Sequence, residues 1–228
     1  MPNRLAHRER LAYGLSDTHD SRVPDGYDTL RLVLASGSPR RAQLLRQAGF
    51  DFIVQLPELD ERKYVNGTLP AELAVLLARE KAAHISRQFP EQVVLAADTV
   101  VAFGDVVVGK PRDADDAARI LRLLRNATHI VVTGVAVKHV GGGFDRAVRV
   151  MSAVRMHGLT DAEIRRHIES GNWQGKAGAY GIQDEPPIVE RLSGCHTNVI
   201  GLPMPTTTRL LGDAGIVPSI AARPDAAA

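Results

Sequence analysis

Residues 92–101 read Gln-Val-Val-Leu-Ala-Ala-Asp-Thr-Val-Val, an apolar run with one carboxylate, Asp98, set inside it. A run this apolar and this short is a buried strand. Burying a carboxylate there is costly unless it is paired, hydrogen-bonded or bound to metal. Asp98 therefore has two readings: an acid at a strand end accepting backbone N–H bonds, or a metal ligand or general base.

The flanking pattern tells what kind of sheet holds that strand. Residues 30–35 form a short buried strand, broken by Ser36-Gly37-Ser38-Pro39. A helix follows over 40–48, with Pro39 near its first position and Gly49 as its stop. Residues 50–54 predict a second strand and 69–87 an amphipathic helix. Residues 105–108 pair back on the Asp98 strand through Phe103-Gly104-Asp105, and 113–124 form a helix. Strands over 130–139 and 147–156 flank Gly141-Gly142-Gly143. The helix over 160–170 has Thr160 as N-cap and Glu163 at the capping-box position. Strands and helices mix without strict alternation, and the Gly141 hairpin demands an antiparallel pair. The class is α/β, with a mixed twisted sheet and flanking helices. No linker or internal repeat divides residues 30–215, which are expected to form a single domain. Residues 1–29 are expected to be a flexible N-terminal extension and 216–228 a C-terminal tail.

Composition narrows the function. The chain is 44% hydrophobic and 24% charged, with a net charge of +2, too balanced for a protein that coats nucleic acid. No apolar run could span a bilayer, and the first thirty residues lack the apolar core of a secretory leader. The single cysteine, Cys195, excludes an intramolecular disulfide and a multi-thiolate metal site, which fits a reducing, cytoplasmic setting. The lysines are Lys63, Lys81, Lys110, Lys138 and Lys176; every other basic residue is arginine. In such a chain a lysine is a candidate for a place that needs a compact ammonium rather than a guanidinium.

Several segments could carry chemistry. Ser36 to Arg41 lies between a strand and a helix, so it is either a capped helix with solvated arginines or an anion site built from N–H groups, hydroxyls and guanidinium donors. Its spacing is not that of a Walker loop. Glu58, Asp60 and Glu61 form an acidic cluster that is a solvated face unless Mg²⁺ is shared with phosphates. Gly109-Lys110-Pro111 and Lys176-Ala177-Gly178-Ala179-Tyr180-Gly181-Ile182-Gln183 are ordinary loops or places where backbone approaches a ligand. The Gln183 amide can donate and accept, as reading a base edge requires. His129, Cys195 and Trp173 read as structural.

Taken in order, these segments, with Leu77-Ala78-Arg79-Glu80-Lys81-Ala82, Ala97-Asp98-Thr99-Val100-Val101, Thr128-His129, Thr133-Gly134-Val135 and Asn198-Val199-Ile200-Gly201-Leu202-Pro203, resemble the Maf (septum formation) family of nucleoside triphosphate pyrophosphatases. The resemblance implies an elongated mixed sheet, two lobes and a central cleft, similar to inosine triphosphate pyrophosphatases. It implies hydrolysis of a nucleoside triphosphate to the monophosphate and pyrophosphate, a nucleotide house-cleaning role, with a divalent metal, Mg²⁺ or alternatively Mn²⁺. It implies Asp98 as proton acceptor, Asp98 and Glu61 toward metal, and Arg40, Thr99 and Gln183 at positions tied to substrate choice. Ser36, Arg41, Lys81, Lys110 and Lys176 complete the substrate-binding set. Arg40, Lys81 and Lys110 would neutralise the triphosphate. The segment ending in Gln183 resembles the dTTP/UTP branch. The expected partner is a free nucleotide, with a homodimer allowed and neither nucleic acid nor membrane involved. A rival reading is a nucleotide-sensing regulator of cell division that binds without turnover. The chain departs from the pattern at Leu76, at Met156-His157, and at Asp184-Glu185-Pro186-Pro187 beside Gln183.

Overall fold

A computed structural model describes residues 30–64 and 67–219. The expected N-terminal extension and residues 220–228 of the expected tail lie outside the described residues. Seven strands form one sheet: β1 (Leu32–Ala35), β2 (Phe52–Gln55), β3 (Val93–Phe103), β4 (Val106–Val108), β5 (Thr128–His139), β6 (Phe144–Met156) and β7 (Val189–Ser193). The helices are α1 (Pro39–Gln47), α2 (Pro70–Ser86), α3 (Ala114–Leu124), α4 (Asp161–Glu169), α5 (His196–Ile200) and α6 (Met204–Asp213), with 3₁₀ turns at Glu61–Tyr64 and Ala177–Ala179.

The strand order is β2-β1-β3-β5-β6-β7, with β4 also on β3. β1 runs parallel to β2 and β3, whereas the β3–β4, β3–β5, β5–β6 and β6–β7 pairs are antiparallel. This is the mixed α/β sheet with flanking helices that the pattern predicts. Local chemistry explains the boundaries. Pro39 and Pro70 open α1 and α2, where a missing N–H costs nothing. The Asp113 side chain accepts the Asp116 N–H at 2.8 Å, and Thr160 with Glu163 forms a complete capping box.

Side chains alternate across β3, so its two faces have different fates. Val93, Leu95 and Ala97 pack under α1 and α6 in one core. Farther along the same face, Val101 joins a second core with α3 and α4. On the opposite face α2 covers Val94, Ala96 and Val100. Two cores therefore sit side by side, and α2 backs both.

The edge of β3 is shared in a way that opens a gap. Val93 to Leu95 pair with β1, and Val101 to Phe103 pair with β4. Between them, residues 96–100 pair only with β5 among the described residues. β1 ends at Ala35 and its chain turns away through Ser36. Ligand crevices in open α/β sheets form beyond strand carboxyl ends where neighbouring connections diverge. Asp98 and Thr99 lie in the gap.

Three elements go beyond the sequence reading. β7 has one buried position in five, so it shows no alternation. α5 is only five residues long, and α6 carries Pro205 and three consecutive threonines, poor helix formers. Burial of Thr207, Leu210 and Leu211 holds α6 in place. No helix among the described residues is long and apolar enough to cross a membrane.

Candidate active site

The ten residues that the family resemblance implies for the site line one cavity of about 560 Å³: Ser36, Arg40, Arg41, Glu61, Lys81, Asp98, Thr99, Lys110, Lys176 and Gln183. Asp98 and Thr99, as neighbours in a strand, project to opposite faces of the sheet. The gap in β3 pairing lets both reach the cavity.

On the α2 side, Asp98 is 9% exposed. Its Oδ1 lies 2.5 Å from Lys81 Nζ, and the same ammonium lies 2.7 Å from Glu61 Oε1. α2 supplies Lys81, and the 3₁₀ turn before it supplies Glu61. Lys81, expected to face the triphosphate, lines the cavity and lies between two carboxylates, and this pairing is what makes burial of Asp98 tolerable. Gly134 of β5 is the register partner of Asp98, and a Cβ there would come 2.2 Å from the Ala74 carbonyl oxygen of α2. That glycine lets α2 lie close enough to deliver its lysine.

On the other side, Arg41 uses its guanidinium as a clamp. Nε donates to the Gly201 carbonyl at 2.8 Å, Nη1 to Ser36 Oγ at 3.1 Å and Nη2 to Thr99 Oγ1 at 3.1 Å. It ties the β1–α1 turn, β3 and the end of α5 together. Burial lowers its pKa, opposed by the nearby Asp98 charge. Thr99 Oγ1 lies 3.0 Å from Thr133 Oγ1, which donates to the Asn198 carbonyl at 3.2 Å. The fully buried Asn198 in turn donates to the Val131 carbonyl at 3.1 Å and Ser152 Oγ at 2.9 Å.

The remaining cations line the walls. Lys110 follows β4, and its pKa is lowered, first by desolvation and then by the positive charge of Arg41. Arg40 Nη2 donates to the Gly175 carbonyl at 3.3 Å. Lys176 is paired with Asp184, a residue that sequence reasoning noted only as a departure beside Gln183. Gln183 is exposed on the cavity wall. Glu58 and Asp60 of the acidic run are exposed and do not line it.

Among the described residues, no group of three or more His, Cys, Asp or Glu could hold a metal ion by itself. Glu61 and Asp98 are hard oxygen donors on one cavity, with the Lys81 ammonium between them; two such carboxylates suit a hard divalent cation that takes its other ligands from water and phosphate.

The three weaker candidates are structural. His129 is 2% exposed, with Nε2 2.6 Å from Tyr180 Oη. Burial lowers its pKa to about 4, so it stays neutral near pH 7. Cys195 Sγ lies 3.2 Å from Thr197 Oγ1 beside the start of α5. Trp173 packs on the second core and donates Nε1–H to the Ile168 carbonyl at 3.1 Å. Sequence reasoning missed the Thr133–Asn198 chain and the Gly201 carbonyl; their only signal was membership in ordered motifs.

The family model described as Maf-like protein matches residues 31–214. A protein of Roseobacter denitrificans named dTTP/UTP pyrophosphatase is 42% identical over 185 residues, covering 80% of this chain and 96% of that protein. Proteins of the same name from Anaeromyxobacter dehalogenans, at 44% identity over 188 residues, and Dehalococcoides mccartyi, at 37% over 207, cover 81% and 90% of this chain and 94% and 89% of their own. A solved Staphylococcus aureus Ham1 protein aligns with TM-score 0.41 and 13% identity over 56% of this chain and 72% of that one. The family match spans every element from β1 to α6, and on that match and these identities the chain belongs to the Maf-like family.

Proposed function

We propose that the chain hydrolyses nucleoside triphosphates, dTTP and UTP foremost, to the monophosphate and pyrophosphate. The observation that carries this reading is the buried Asp98–Lys81 pair, with the half-exposed Glu61 on the same ammonium, at a cavity whose walls hold Arg40 and Lys110. The names of relatives at 37–44% identity support the same substrates.

In this reading Arg40 and Lys110 bind the triphosphate oxygens, and Arg41 fixes the turn that carries Ser36. Lys81 orients Asp98. The Asp98 carboxylate takes a proton from the attacking water as its oxygen bonds to the α-phosphorus. The bond from that phosphorus to the bridging oxygen breaks, and pyrophosphate leaves with the electron pair. Mg²⁺, held by Glu61 and Asp98, would supply neutralisation of the phosphate charge. Preorganised charge of this kind contributes most where water is excluded. Gln183 offers a donor and an acceptor to the amide edge of thymine or uracil.

The test is pyrophosphate release from a panel of canonical triphosphates, with and without Mg²⁺. The expected result is turnover highest with dTTP and UTP and lost on chelation. Tight nucleotide binding with no pyrophosphate released would overturn the reading in favour of a sensor.

A further inference from the structure

The loop over residues 174–184 contributes to the cavity lining and carries both Lys176 and Gln183. Lys176 Nζ donates to Asp184 Oδ1. The second oxygen, Oδ2, accepts the Gly181 N–H at 2.6 Å, and the Asp184 N–H donates to the Gly181 carbonyl at 3.2 Å. Asp184 is 9% exposed. A Cβ on Gly181 would come 2.8 Å from Asp184 Oδ1 and 2.9 Å from Lys176 Nζ, so the pair sits directly against that glycine.

Other bonds hold the loop's backbone without this pair. The Gly178 N–H donates to the Gly109 carbonyl at 3.1 Å, next to Lys110. His167 Nε2 lies 2.8 Å from the Ala179 carbonyl, and Tyr180 Oη lies 2.6 Å from His129. Ala179 takes a left-handed φ of 64°, which a non-glycine residue keeps only where its surroundings impose it. These bonds set the path of residues 178–180 without the ion pair, and the two Gly181–Asp184 bonds close the turn that carries Gln183. What the ion pair changes is charge: it cancels the Lys176 ammonium on the loop that carries Gln183, a loop that Arg40 also touches at the Gly175 carbonyl.

We infer that Asp184 is a specificity-determining residue, which takes up the Lys176 ammonium and so withholds a cation from the nucleobase. A free ammonium there would donate to the O6 and N7 acceptors of guanine, the usual lysine contact to that base. With Lys176 occupied, recognition falls to the neutral Gln183 amide, which suits the alternating acceptor and donor of a pyrimidine amide edge. The inference rests on the proposed reading of the cavity as a nucleoside triphosphate site.

The experiment compares kcat/KM for GTP and UTP, by pyrophosphate release, in the wild type, Asp184→Asn, Lys176→Met and the double variant. Asp184→Asn is expected to raise the GTP-to-UTP ratio about tenfold, the value of one hydrogen bond from a charged donor, chiefly through a lower KM for GTP. The double variant is expected to return the ratio to the wild-type level. Lys176→Met is expected to raise KM for both nucleotides, because it leaves Asp184 unpaired beside a polyanion, with the ratio unchanged. An unchanged ratio in a folded, active Asp184→Asn overturns the inference alone, as does a raised ratio that persists in the double variant. Should Asp184→Asn fail to fold, Lys176→Met decides: a changed ratio means that Lys176 itself reads the base. A wild type that releases no pyrophosphate overturns the underlying reading instead.

Discussion

Asp98 of β3 and Gly134 of β5 are register partners, and the missing side chain of the glycine makes room for the helix that brings Lys81 to the acid. Gly134→Ala would force a Cβ to within 2.2 Å of the Ala74 carbonyl oxygen, which is backbone and cannot swing aside. The expected loss of stability is about 3 kcal/mol or more, read by denaturant unfolding. Turnover in the surviving folded fraction should fall as well, since α2 must move and Lys81 moves with it. A stable, fully active alanine variant would detach Asp98 from the α2 packing.

Arg41→Lys keeps the charge and loses the fork. One ammonium cannot reach the Gly201 carbonyl, Ser36 Oγ and Thr99 Oγ1 with the geometry of a planar guanidinium. A loss of about 2 kcal/mol is expected, together with a higher KM because the Ser36 turn is no longer fixed. Thermal melting with and without nucleotide checks both.

Stability should fall on acidification through His129. Its folded pKa is about 4 against an ordinary 6.5, so the unfolded chain binds the extra proton. Stability from this group is complete above pH 6.5 and is lost as pH falls toward 4. Between pH 7 and pH 5 the loss is about 2 kcal/mol. Urea titrations of wild type and His129→Gln at both pH values test it; the variant's curve should be flatter.

Lys110 bears on alkaline pH. Desolvation and Arg41 lower its pKa, so its ammonium is lost at a lower pH than that of an ordinary lysine. KM for the triphosphate should therefore rise as pH increases through that point, while kcat changes less. In Lys110→Met, KM is expected to be high throughout and this limb of the pH profile absent.

The elements from β1 to α4 were legible because each carried its own marker: an uninterrupted apolar run at β1, proline at the starts of α1 and α2, the capping box at Thr160. The stretch from β7 to α6 was not, because its strand is mostly exposed and α6 is held by burial against the strength of three threonines. The same division holds for the candidate site. Glycine-framed lysines and an acid inside an apolar strand mark candidate positions along the chain, and the family resemblance is what joins them into one site. The pairings within it do not, because Lys81 meets Asp98 only once α2 lies on β3, and Lys176 meets Asp184 only once the glycine loop closes.

Asp98→Asn tests the central claim, that this acid drives phosphoryl hydrolysis. Lys81 retains Glu61 as a partner in the variant, so the fold should survive with a near-native melting temperature. Pyrophosphate release from dTTP and UTP should fall by about 10²–10³ in kcat or more, with nucleotide still bound. A folded Asp98→Asn variant that turns over at the wild-type rate would contradict the account.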